Sequence, residues 1–154
     1  MAQILASSSL SLHMVASSWA ASIPSQPLSS GAGQGLNVPT IRLSMASSRG
    51  INAVYSPRNP KDIPVGFARM CNKAGGFAPR PVWDDITNGV TPWFESKDEF
   101  FVYFNCNDSH WYVDNASGAG MYLAVPDGSL LLPPTEGWIS LTGRRVGAPK
   151  MSYV

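Results

Sequence analysis

Residues 98–125, "DEFFVYFNCNDSHWYVDNASGAGMYLAV", decide what kind of fold this chain can form. Alternation over the first run puts Phe100, Val102, Phe104 and Cys106 on one face and Phe101, Tyr103 and Asn105 on the other. A strand with rings on both faces must be covered on both, which predicts a central place in a sheet. "NDS" then turns the chain and "HWYVD" reads as a short strand. "NASGAG" turns the chain again and "MYLAV" pairs back.

Downstream, "PDG" (126–128) is a turn and "SLLL" (129–132) is expected as a strand running into Pro133-Pro134. Proline cannot donate to a ladder, so the pair ends that strand or marks an edge. Gly137 permits a tight reversal, and Trp138 then opens the next strand, its indole lying over the end of the sheet and excluding water. Phe100, Trp111, Tyr122, Leu131 and Trp138 recur about every ten residues. The expected class is mainly β, α+β at most: a small antiparallel meander or barrel-like sheet with one short helix and extended terminal arms.

Upstream, Asn88-Gly89 inside "RPVWDDITNGVTPWFE" is a hairpin signal. "DIPVGFARMCNKAGG" predicts the one helix, over 63–74. Asp62 is placed to cap it, Pro64 suits its first turn, and Gly75-Gly76 stop it. Phe67, Met70, Cys71 and Ala74 share one face, a stripe for docking on the sheet, while Gly66 weakens the helix. "INAVYSPRNPK" (51–61), with two X-Pro steps, reads as extended. The expected organisation is a leader over 1–45, an extended arm over 46–61 and a short helix with linker over 62–78. A β-rich domain follows over 79–143, with a basic tail over 144–154.

Charge is scarce, 14% of residues, while glycines number 14 and prolines 13. No acid precedes Asp62, and residues 1–50 hold thirteen serines with only Arg42 and Arg49 as basic side chains. That is the composition of a plastid transit peptide, with "IRLSMASS" (41–48) resembling a processing site near Met45. An ordinary tail is the plainer alternative. The apolar start is cut by serines and His13 and lacks an early Lys or Arg, which speaks against a secretory signal. No apolar run approaches the ~18 residues of a membrane span. A net charge of +1 gives no electrostatic reason to bind nucleic acid.

Chemical candidates are few. Cys106, Asp108 and His110 would share a face on an extended strand, a metal or thiol–imidazole arrangement. Asn-Asp-Ser is turn chemistry, however, and breaks that alternation, and a zinc site would also need Cys71. Asp84-Asp85 and Asp98-Glu99 are acidic pairs of the glycosidase type, equally at home as solvated turn charges. Asn107 and Asn115 head glycosylation sequons that matter only in a secreted chain. Arg144, Arg145 and Lys150, with no acid among the last twelve residues, suit docking to an acidic neighbour or membrane surface; a frayed terminus suits them as well.

"HWYV", "MYLAV" and "PPTEGW" together resemble a small β module of algal and protist proteins, over about residues 80–142. That resemblance implies a structural or interaction module without established chemistry. Within it Trp111 and Tyr112 form the aromatic pair, and Pro133, Pro134, Gly137 and Trp138 are structural marks. The expectation is a non-enzymatic peripheral subunit of a plastid photosynthetic membrane complex, photosystem-associated. Larger subunits would be its partners at the thylakoid, with no cofactor expected and pigment contact left open. The alternative is a free-standing β-rich module for a small ligand or glycan, stromal or secreted.

Overall fold

The computed structural model describes residues 38–141 and 147–154. Arg144 and Arg145, and the first 37 residues of the leader, lie outside the described residues. Eight strands form one antiparallel sheet: β1 (Ile41–Ser44), β2 (Val54–Arg58), β3 (Trp93–Ser96), β4 (Phe101–Asn105), β5 (His110–Asp114), β6 (Gly120–Ala124), β7 (Ile139–Ser140) and β8 (Lys150–Tyr153). Their order is β7-β6-β5-β4-β3-β2-β1-β8, a meander curled into a half-barrel with the last strand returning beside the first. Two short helices, α1 (Val65–Lys73) and α2 (Pro79–Ile86), join β2 to β3.

The alternation of β4 is realised in full. Val102 and Phe104 enter an inner core with Tyr55, Phe94, Trp111, Tyr122 and Trp138, against which Phe100 and Cys106 also pack. Phe101 and Tyr103 point outward to Phe67, Cys71, Trp83 and Trp93. The inner core takes side chains from both ends of the strand order, including Ile41 and Met151, because the sheet curls around it. The outer core is roofed by α1 and α2, with Trp83 centred 4.9 Å from Phe67 and 5.3 Å from Tyr103.

Several expectations need correction. The Asn88-Gly89 hairpin is absent: residues 79–86 form α2, making two α-helices among the described residues where one was expected. Prolines 79 and 81 preset the first turn, and Val82, Trp83 and Ile86 then lie at helical spacing against the outer core. Asn88 serves as an Asx turn, its Oδ1 accepting from the amides of Val90 and Thr91 at 2.9 and 2.7 Å. Pro64, not Asp62, occupies the N-cap of α1. Gly66 sits where α1 meets the 115–118 turn: a β-carbon there would lie 2.9 Å from Phe101 and 3.0 Å from the Ala116 carbonyl.

The terminal arms are strands. Residues 46–61 hold a 3-10 turn (Arg49–Ile51) and β2, whose Tyr55 is fully buried and donates its hydroxyl to the Ile51 carbonyl at 2.9 Å. Pro57 is tolerated inside β2 because β1 pairs only with Val54 and Tyr55, so the proline lies beyond that ladder. β1 itself lies between β2 and β8, with Ile41 and Leu43 at 0 and 1% exposure. A cut near Met45 would remove it from the core. The last residues form no tail from Lys150 onward, since β8 pairs with β1 along its length. "SLLL" is not a strand, and Leu130 and Leu131 stand exposed in the loop before the prolines.

Candidate functional site

The "CNDSH" residues sit at the β4–β5 hairpin, where Asn105 opposes His110 and residues 106–109 turn. Ser109 adopts a positive φ of 59°, and the Asp108 carboxylate accepts from the His110 amide at 3.2 Å. His110 Nδ1 lies 2.6 Å from the Asp108 carbonyl oxygen. Cys106 turns instead toward the inner core and donates its amide to the Ile86 carbonyl at 2.8 Å. Cys71 belongs to the outer core, so the sheet separates the two thiols. Burial pushes both thiols up, away from the thiolate a nucleophile or metal ligand needs. Among the described residues no group of three His, Cys, Asp or Glu side chains is arranged to hold a metal ion.

The acidic pairs are engaged singly with bases. Asp84 meets Arg80 at 3.2 Å one helical turn away, and Glu99, at φ 61°, meets Arg69 of α1. An open groove of about 730 Å³ runs along β2 and β3, lined by Asn52, Ser56, Arg58, Glu95, Lys97 and Asp98. Its central charges neutralise each other, Arg58 Nη2 lying 2.9 Å from Glu95 Oε2.

Trp111 and Trp138 face the inner core at 0 and 3% exposure, and Trp138 Nε1 donates to the Pro134 carbonyl at 3.0 Å. Pro133 and Pro134 are buried, while Gly137, at φ 83°, makes the reversal into Trp138. Lys150 is exposed at the start of β8. Trp111 follows His110 directly in β5, but its ring lies in the inner core. Together these residues shape the end of the half-barrel.

The outer face is uneven. One cross-strand row runs Tyr103, Tyr112, Leu123, Ile139, each directly opposite the next. Tyr103 is 6% exposed beneath the helices and stacks on Tyr112 at 5.6 Å, whereas Ile139 is 62% exposed. Cover by α1 and α2 therefore ends near β5. Tyr112 is half-buried and donates its hydroxyl to the Asp108 carboxylate.

In the adjoining row sits a group that the sequence did not flag. Asp114 is 4% exposed, with Oδ1 buried and unpartnered, and desolvation pushes its carboxyl up to about 7. A bulge brings it opposite Gly120, skipping Met121. A β-carbon at Gly120 would lie 3.6 Å from Asp114 Oδ1 and 2.9 Å from Leu141 Cδ1, so the leucine fills the space over the glycine and closes off the acid. An acid closing the run "HWYVD" resembles any strand-end acid, and only its outward phase beside Tyr112 hints at burial.

No family model, curated protein or solved structure matches this chain.

Proposed function

We propose that the chain is a non-enzymatic assembly subunit, peripheral to the thylakoid and part of a plastid photosynthetic membrane complex associated with a photosystem. The observation that carries this reading is how the sheet spends its two faces. Inner rings fill the curl and helices roof part of the outer face, and among the described residues this leaves an apolar strip over β5–β7 on that face. Such a surface suits attachment to larger subunits better than turnover of a substrate. The acid-free, serine-rich leader supplies the plastid address, with processing placed upstream of β1 so that the strand is kept. No helix among the described residues is long and apolar enough to cross a membrane.

Size fractionation of detergent-solubilised algal thylakoids tests this. The native chain is expected with chlorophyll at high mass, and migration as a free small protein would overturn the reading. The rival, a free-standing module for a small ligand or glycan, has the polar β2–β3 groove in its favour. Saturable sugar binding lost on Glu95→Gln, by a chain that migrates free, would favour it.

A further inference from the structure

We propose that the bare outer strip over β5–β7 is the seat of an amphipathic helix from a partner subunit, and that a Lys or Arg on that helix pairs with Asp114. The proposal rests on the assembly-subunit reading and names the surface through which assembly occurs. Two independent features meet here. One is apolar: Tyr112, Leu123 and Ile139 form a continuous row, and Leu141, 43% exposed, flanks it. The other is a buried carboxylate whose Oδ1 has no partner, closed off by the end of the Leu141 side chain over Gly120.

Charge selects the occupant. β5, β6 and β7 contain no Lys or Arg, and Asp114 is their one carboxylate. An unpaired buried carboxylate is costly, and a cation brought to it in place of the Leu141 methyl relieves that cost while the surrounding apolar groups exclude water. Leu141 Cδ1 now fills the space over Gly120, but the leucine is 43% exposed; its swing aside would let a basic side chain run its aliphatic stem there and bring its head to the carboxylate. The chain already does something similar on the neighbouring half of this face. α1 lays Phe67 and Cys71 into the outer core while its Arg69 reaches the Ala116 carbonyl at 3.2 Å and the Glu99 carboxylate. A partner helix would extend that roof from β4 to the β7 edge.

The test uses the full chain and a labelled synthetic amphipathic helix with a leucine stripe and one central Arg. A second peptide carries Glu in place of the Arg. Fluorescence anisotropy should show the Arg peptide binding, with about a tenfold loss for Ile139→Lys, for Asp114→Asn and for the Glu peptide. Val90→Lys, exposed elsewhere, should change nothing. Equal binding of the two peptides, no binding of either, or equal effects of Ile139→Lys and Val90→Lys overturns the proposal. A dimer seen by sedimentation and broken by Ile139→Lys would assign the strip to a second copy and overturn it too. Thylakoid fractionation separates the two levels. If Ile139→Lys still migrates with chlorophyll, the strip fails and the subunit reading stands. If the wild type migrates free while the Arg peptide binds, only the subunit reading fails.

Discussion

The amide of Met151 donates to the carbonyl of Thr135 at 3.0 Å, tying the last strand to the loop that leads into the seventh. These two residues belong to opposite ends of the strand order, and two further bonds follow the same path. Tyr153 gives its hydroxyl to the Pro133 carbonyl at 2.8 Å, and Tyr122 gives its own to the Gly147 carbonyl at 3.4 Å. The "PPTEGW" stretch is therefore a strap across the seam of the half-barrel. Its prolines lack amide donors but keep carbonyls, which are the groups the seam uses. Trp138, held by the Pro134 carbonyl, fills the inner core behind it.

Trp138→Ala should cost about 3–5 kcal/mol, since it removes a buried indole and leaves a cavity at the seam. Trp138→Phe, which keeps much of the volume and loses the bond to Pro134, should cost less. Urea titration of the chain followed by circular dichroism measures both. An isolated 79–143 piece is unsuitable, because it lacks β1, β2, β8 and α1. An unchanged midpoint for Trp138→Ala would place the ring outside the core.

A chain starting at residue 38 should fold cooperatively, and one starting at 46 should not. The shorter version loses Ile41 and Leu43 from the inner core and leaves β8 without its ladder partner. Two buried aliphatic side chains contribute about 3–6 kcal/mol, comparable with the whole stability of a small domain. Thermal melts of the two chains decide it, and N-terminal sequencing of the native protein should likewise find a start upstream of Ile41.

Asp114 makes stability depend on pH in a stated direction. Its folded carboxyl keeps its proton up to about 7, whereas the unfolded chain releases it near the ordinary value of 3.8. Between those values the folded state binds more protons, so stability falls as pH rises through the window and levels off above it. The full loss is on the order of 4 kcal/mol. Asp114→Asn removes this slope, so its advantage over wild type should grow from pH 4.5 to pH 8 in chemical denaturation. Parallel profiles would mean that the carboxylate is ionised and solvated at neutral pH.

Gly118→Ala should cost about 2–4 kcal/mol, and Gly137→Ala only about 1 kcal/mol. Both glycines have positive φ, 78° and 83°. At Gly118, however, a β-carbon would sit 2.5 Å from Met70 Cβ and 2.8 Å from the Gly66 carbonyl, while at Gly137 nothing lies within 4 Å. Equal costs in paired denaturation curves would show that α1 does not press on the 115–118 turn.

Local pattern carried much of the fold. The period-two alternation from Phe100 to Cys106 specified both faces of β4, and "HWYVD" marked β5 residue for residue, because side-chain phase along a strand is a property of the chain itself. Phe67, Met70 and Cys71 of the α1 stripe and the Gly75-Gly76 stop were legible for the same reason, whereas Ala74 lies past the helix and is exposed. What the sequence alone could not decide depended on partners distant along the chain. Residues 41–44 and 150–153 are short and unremarkable; the last strand finds its ladder on the first across more than a hundred residues, and the first pairs with β2 on its other side. Residues 79–86 followed their outer-core contacts rather than the nearby Asn-Gly signal, since burying Trp83 against Phe67 and Tyr103 outweighs a turn preference. Asp114 reads as an ordinary strand-end acid until the bulge at Gly120 and the approach of Leu141 take its carboxylate out of water. Desolvation is a property of neighbours, and those neighbours are chosen by tertiary structure.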